Sequence, residues 1–336
     1  MQDAGLVSWV AVLAVSAGFS AFLILLLKPL LSRYFLAHPN ARSAHSVPTP
    51  QGAGLAVMAA LLIVCAASLS LGIGASPPSL VPVLAAAAFL TLLGAYDDAH
   101  AISVPLRLGA QALAALIVVT TLPEGFQLLP GLLPLAVERA LLVIGIMWFV
   151  NAINFLDGLD WMMVAQVVPM TLGVVILQIF DVVPASIGLL ALVLLGATFG
   201  FAAFNKHPAQ IFLGDAGSLP IGLCLAYMLL FVAEAHLVTG LLLALYTLAD
   251  STLTLFRRAA AGEPIFSAHK THFYQRAVDH GWRMPQVTTW IFLLGLLLMV
   301  LAVTAALARS LYFDMALLGA GVVATGVVFR MLTRGR

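Results

Sequence analysis

Five short stretches of this sequence combine residue types that can handle phosphate groups and divalent cations. Gly94-Ala95-Tyr96-Asp97-Asp98 sets two carboxylates side by side at the end of an apolar run. Like charges repel there, and a helix C-terminus already carries negative dipole charge. A purely structural role is strained, and an oxygen-seeking cation such as Mg²⁺ would relieve it. Adjacent helical residues point about 100° apart, so one of the two is expected to be the direct ligand. Asn151, Asn154 and Asp157 recur at i, i+3 and i+6, which puts amides and an acid on one polar stripe at a span end. Asp160 follows and reads equally well as the N-cap of the next helix. Asp215 lies between Gly214 and Gly217, a glycine-punctuated anion or metal loop, with a simple N-cap as the plain alternative. In the segment from His38 to Gly54, Pro and Gly enforce a non-helical backbone. The helix that opens there offers N–H groups to a phosphate, with Arg42 and His45 adding charge. His269-Lys270-Thr271-His272 lacks the third and fourth ligands of a zinc site. With Arg276 and Lys206 it reads as a set of cationic donors to a diphosphate.

Carboxylates, a hard cation and basic donors are the apparatus of phosphoryl transfer. The elements that must hold them are set by composition. The chain has 336 residues, 62% hydrophobic and 9% charged, against about 25% charged in soluble domains. That excludes a soluble globule, a disordered chain and a nucleic-acid binder, which needs a basic patch. Apolar runs near 6–27, 53–71, 80–96, 108–122, 139–156, 161–180, 185–204, 217–233, 237–256, 286–308 and 311–330 predict eleven membrane-spanning helices. The expected fold is an all-α polytopic bundle, one integral membrane domain over 1–336, with the site built from segments 38–54, 97–107, 157–160, 205–217 and 257–285. Cys65 and Cys224 lie inside apolar runs and are expected to be inert.

An odd span count places the termini on opposite sides. With the N-terminus outside, all Lys and Arg except Arg139 and Arg309 fall on the inner side, which the positive-inside tendency favours. Every histidine except His236, and all five acids named above, then share that cytoplasmic face. An enzyme working there would join a soluble phosphate donor to a lipid phosphate.

In HSVPTPQGAG, GAYDDAH, NAINFLDGLD, FNKHPAQIFLGDAGS and HKTHFYQR, occurring in that order over about 38–285, the chain resembles the polyprenyl-phosphate N-acetylhexosamine-1-phosphate transferases. These are glycosyltransferases of family 4 type, which include the undecaprenyl-phosphate GlcNAc-1-phosphate and phospho-MurNAc-pentapeptide transferases. The resemblance implies Mg²⁺-dependent transfer of a sugar 1-phosphate from a UDP-N-acetylhexosamine to undecaprenyl phosphate, with release of UMP; Mn²⁺ is a possible substitute. It implies an inner-membrane location, the bilayer as a partner, no nucleic acid, and a possible homodimer. Asp97 and Asp98 match the family's paired acids, implicated in Mg²⁺ and lipid phosphate. Asn154, Asp157 and Asp160 match the motif at the nucleotide-sugar site, Asp215 the Mg²⁺-ligating acid, and Phe212 an aromatic that stacks on uracil. His269 and His272 match a loop contacting diphosphate or sugar, and His45 a loop near the carrier lipid. Asn154 is counted with Asp97 and Asp215 as a metal ligand; Asn151, Lys206, Lys270 and Arg276 are expected to bind substrate.

There are departures. Ala101 stands where the family commonly has another Asp, and Trp161 where a Gly is usual, with Met162 and Met163 following. They border the donor pocket and leave the sugar open. His100 and the HKTHFYQR form point to the O-antigen or exopolysaccharide branch. An intramembrane aspartyl protease would need Gly at position 212 and no basic cluster. A transporter would place polar groups at mid-membrane.

Overall fold

The structure is a computed structural model that describes residues 2–37, 47–74, 80–264 and 269–334. Among these residues there are twelve helices: α1 (Gln2–Tyr34), α2 (Ala53–Ser70), α3 (Leu80–His100), α4 (Val104–Thr121), α5 (Leu135–Phe155), α6 (Met162–Ile179), α7 (Ala185–Asn205), α8 (Asp215–Ala235), α9 (Leu237–Ala260), α10 (Phe273–Asp279), α11 (Met284–Ala308) and α12 (Leu311–Thr333). All but α10 are long and apolar enough to cross a membrane, making eleven spans as expected. A helix suits that setting because each backbone N–H and C=O is bonded within the segment.

Several boundaries differ from the apolar runs. α1 continues to Tyr34, and α3 runs through Asp97 and Asp98 to His100. The paired acids therefore belong to a helical turn and not to a loop. The segment 257–285 is likewise partly helical, holding the end of α9, all of α10 and the start of α11. Hydropathy marks where side chains leave the lipid; the backbone bonds of a helix can run on past that point.

α6, α7 and α8 form the buried centre, while α1 and α12 lie at the periphery. α1 is fastened to α7 by Ser16, whose hydroxyl donates to the Val193 carbonyl at 2.7 Å, and by Ser20, which donates to Ala197 at 2.9 Å. Small residues let the two backbones close: a Cβ on Gly200 would stand 2.4 Å from the Ala17 carbonyl oxygen. The closest convergence is at the first turn of α8. A Cβ on Gly54 of α2 would lie 2.1 Å from the Gly217 nitrogen, and one on Gly94 of α3 would lie 2.3 Å from the Asp215 carbonyl oxygen.

Two short strands, β1 (Leu36–Ala37) and β2 (Thr49–Pro50), pair antiparallel with Leu36 opposite Pro50. Backbone bonds continue this seam into the segment before α8. Phe212 N–H donates to Pro50 at 2.8 Å, and the Phe212 carbonyl accepts from Gly52 and Ala53 at 3.1 and 3.0 Å. Gly52, at φ +104°, supplies the left-handed turn that lets the chain leave the seam and start α2.

Candidate active site

The ends of α3, α5 and α7 and the starts of α4 and α8 meet at one side of the bundle. Asp98, in the last turn of α3, lies beneath the N-terminus of α8. Its carboxylate accepts from the N–H groups of Asp215 at 2.9 Å and Ala216 at 3.1 Å, and from the Gln51 amide at 2.6 Å. A carboxylate at a helix N-terminus meets free N–H donors and the positive end of the dipole. The strain expected for paired acids is thereby resolved: one of them stabilises another helix.

Asp97 is buried and turns the other way. Its carboxylate accepts from the Ile102 N–H at 2.8 Å and forms an ion pair with Arg107. These contacts tie it to the α3–α4 corner, a different setting from the direct metal ligation expected of it. Arg107 also stands 3.5 Å from Asp215. A cation in the first turn of a helix opposes the dipole, and two carboxylates compensate for that here. The sequence reading assigned Arg107 no role. The available signal was its place ten residues after Asp97, at the start of an apolar run.

Asn154 donates from its side-chain nitrogen to Asp215 at 2.8 Å and to the Ser218 hydroxyl at 2.8 Å. Among the described residues nothing is bonded to its amide oxygen. Asp157, one turn on and half-buried, faces the same place. Burial first, then the charges of Asp215 and Asp98, push its carboxyl up to about 8. Asp98, Asp157 and Asp215 thus crowd their charges together, with Arg107 offsetting part of the repulsion.

Asn151 does not join this cluster of acids. Its side-chain nitrogen donates to Gln111 of α4 at 2.5 Å and to the Met147 carbonyl at 2.8 Å, so it joins two helices inside the bundle. The N-cap reading of Asp160 is also corrected. Trp161 holds the N-cap position of α6, with its N–H donating to Asn205 at 2.8 Å. Asp160 instead accepts from the Ala209 N–H at 3.0 Å and lies 2.7 Å from His207 Nδ1, which fastens the segment leading to α8. Trp161 adopts φ +63°, a conformation that suits glycine and is costly for a bulky side chain. Its indole donates to the Ala202 carbonyl at 2.7 Å, which helps to hold it there.

Lys206 is exposed at the C-terminus of α7. Phe212 is half-buried, and its backbone forms the seam with residues 50–53. His45 lies outside the described residues.

His269 and His272 do not share a helix face, because α10 begins at Phe273 and His272 is its N-cap. Their rings still come within 5.1 Å. Burial first, then His272, Arg258 and Arg257, lower the His269 ring to about 4. In this setting, without a bound anion, the ring is held toward its neutral form. Lys270 and Arg276 flank the pair at half-buried positions. Tyr274 donates to the Phe155 carbonyl at 3.0 Å, fastening α10 to the end of α5.

The sequence reading missed Asp250. It is fully buried in α9 and bonded to His272 and Phe273. An ionisable residue inside an apolar run was the signal that could have found it.

Among the described residues no three His, Cys, Asp or Glu side chains form a ready metal-binding group. Mg²⁺ is usually held by one or two carboxylates, with water and substrate phosphates completing its shell. Crowded carboxylates and an open amide oxygen form an oxygen-only donor set of that kind.

Fold and site together define a polytopic membrane protein with a cluster of acids and amides where several of its spanning helices end. The chain belongs to glycosyl transferase family 4, whose pattern it matches over residues 80–233. It is 31% identical to the phospho-N-acetylmuramoyl-pentapeptide-transferase of Limosilactobacillus fermentum, covering 86% of this chain and 96% of that protein. It is 27% identical to a probable undecaprenyl-phosphate N-acetylglucosaminyl 1-phosphate transferase of Bacillus subtilis, covering 84% and 82%. It is 28% identical to the decaprenyl-phosphate N-acetylglucosaminephosphotransferase of Mycobacterium tuberculosis, covering 89% and 83%.

Proposed function

We propose that the chain transfers an N-acetylhexosamine 1-phosphate from a UDP-sugar to undecaprenyl phosphate and releases UMP. It would act at the cytoplasmic face of a bacterial inner membrane, in the first membrane step of a cell-surface polysaccharide such as O-antigen. The observation that carries this reading is the meeting of Asp98, Asp157 and Asp215 with Asn154 and Arg107 at the ends of spanning helices. Membership of the family and the printed activities of the relatives support it.

Asp215 and Asp157, with the Asn154 amide oxygen, are the groups that would hold Mg²⁺. The ion, when bound, neutralises diphosphate charge and makes UMP a better leaving group. An oxygen of the lipid phosphate attacks the β-phosphorus of the donor; the bond to the bridging oxygen breaks, and UMP leaves with that oxygen. A phosphate monoester has its second pKa near ~6, so the attacking group is largely dianionic at neutral pH and needs no strong base. Arg107 offsets the acids' repulsion and holds Asp97 at the α3–α4 corner. Asp98 fixes the start of α8 and, with it, the position of Asp215. Lys206, Lys270, His272 and Arg276 are the donors proposed to face the diphosphate, Phe212 the uracil and His45 the carrier lipid. Asp160 acts at one remove by holding the segment before α8.

The test is UMP release by the purified protein with undecaprenyl phosphate, Mg²⁺ and a panel of UDP-N-acetylhexosamines, with Mn²⁺ as a substitute metal. Activity with one donor and its loss in Asp215→Asn are expected. Absence of UMP release with every donor would overturn the reading, and near-normal release by Asp215→Asn at saturating Mg²⁺ would overturn the metal assignment.

A further inference from the structure

We infer that Asp250 is a positioning residue that fixes the tautomer and orientation of His272 for the transfer reaction; this rests on the function proposed above. Asp250 lies ten residues before the end of α9, about 15 Å along the helix at 1.5 Å per residue. It is fully buried inside a membrane-spanning segment, where an isolated carboxylate is costly and calls for a partner. Every contact drawn to it is one that can donate. Its Oδ1 takes the Phe273 N–H at 3.2 Å, the Thr254 hydroxyl at 3.3 Å and His272 Nδ1 at 3.0 Å. Its Oδ2 takes the Tyr246 hydroxyl at 3.4 Å.

An acceptor-only carboxylate requires the proton on Nδ1 of His272. The remaining ring nitrogen, Nε2, is then free to accept, or to donate when the ring is charged. Among the described residues none is hydrogen-bonded to Nε2. The ring itself is confined: Phe155 lies 6.0 Å away, Tyr274 5.9 Å and His269 5.1 Å, centre to centre. Phe155 directly follows Asn154, and its carbonyl is bonded to Tyr274. The imidazole thus stands against the same helix end that carries Asn154 and Asp157.

Capping α10 is the simpler use of Asp250, and it requires only the Phe273 bond. Asp250→Asn separates the two uses. The amide keeps a carbonyl oxygen for the Phe273 N–H, but it can also present an N–H to Nδ1 and favour the opposite tautomer. The expected result is a drop in kcat of about 10- to 100-fold, by analogy with the orienting partners of metal-bound histidines. KM for undecaprenyl phosphate stays within about twofold. In a His272→Gln background the same change has no further effect, because groups acting as one unit are not additive. An unchanged kcat, or losses that multiply in the double variant, would overturn the inference.

A measurement on the unaltered protein guards against a misfolded variant. With ¹⁵N-labelled histidine, and the signal assigned by its loss in His272→Gln, Nδ1 of His272 is expected to carry the proton near neutral pH. An unprotonated Nδ1 would overturn the inference. The nitrogen signal is read without turnover, so an absence of UMP release by the wild type would defeat the proposed function and leave this measurement standing.

Discussion

Replacing Gly94 with alanine adds one methyl group where there is no room for it. The new Cβ would lie 2.3 Å from the Asp215 carbonyl oxygen, 2.4 Å from its carbon and 2.6 Å from the Ala216 nitrogen. All three are backbone atoms of the first turn of α8, so no rotamer change relieves the contact. Moving them to an ordinary separation of roughly 3.5 Å drives α3 and α8 apart by about 1 Å. Asp98 accepts from Asp215 and Ala216 at 2.9 and 3.1 Å, and the same movement carries both bonds to about 4 Å, past hydrogen-bond range. Bonds to a charged group contribute about 1.5–3 kcal/mol each. Loss of both costs about 3–6 kcal/mol, less whatever the carboxylate recovers by following α8. Asp215 moves with its helix, and a displacement of that size at a reacting centre can cost about 100-fold in rate. Thermal unfolding in detergent and UMP release read the two effects. Gly109→Ala and Gly145→Ala serve as controls, because a Cβ at either position meets nothing within 4 Å. A Gly94→Ala protein with wild-type melting and turnover would refute the reasoning, as would controls that fall equally far.

Further tests address the same site. Burial beside Asp215 and Asp98 pushes Asp157 up to about 8, so the folded protein retains a proton that the unfolded chain gives up at lower pH. Its contribution to stability is therefore full at low pH and is lost as pH rises from about 4 through about 8. Asp157→Asn should flatten that part of the melting profile measured from about pH 5 to about pH 8.5, and an unaltered slope would count against the placement. Arg107→Met removes the partner of a buried Asp97, with an expected loss of about 1–3 kcal/mol for a buried acceptor left unsatisfied. Adding Asp97→Asn should recover part of it in thermal unfolding. A Cβ on Gly158 would lie 2.1 Å from the Tyr274 hydroxyl oxygen, so Gly158→Ala should lower UMP release at least about tenfold. Tyr274→Phe in the same chain should restore part of the activity.

Long apolar runs marked the spans because lipid admits few alternatives to a helix, and the eleven runs became eleven helices. Their ends were less legible: α3 carries Asp97 and Asp98 inside its last turn, since backbone bonding does not stop where side chains turn polar. α10 was not read at all, being seven residues in a polar segment too short for a periodic signal. Trp161 illustrates a third kind of gap. Its presence at that place is visible in the sequence, while its positive φ belongs to the folded backbone.

By itself the sequence determined the membrane class, the number of spans and the grouping of the acids and basic residues in a few motifs, because hydropathy and residue type are properties of single positions. The tertiary structure decided what each polar group faces. Asp97 and Asp98 are neighbours in the chain, yet one is bonded to Arg107 and the other to the start of α8. Asn151 and Asn154 share a helix stripe, yet one faces Gln111 and the other Asp215. Asp250 is a single acid in an apolar run, and the fold brings His272 against it. Partners from distant segments are set by how the helices pack, and close contacts such as Gly94 with the first turn of α8 fix that packing.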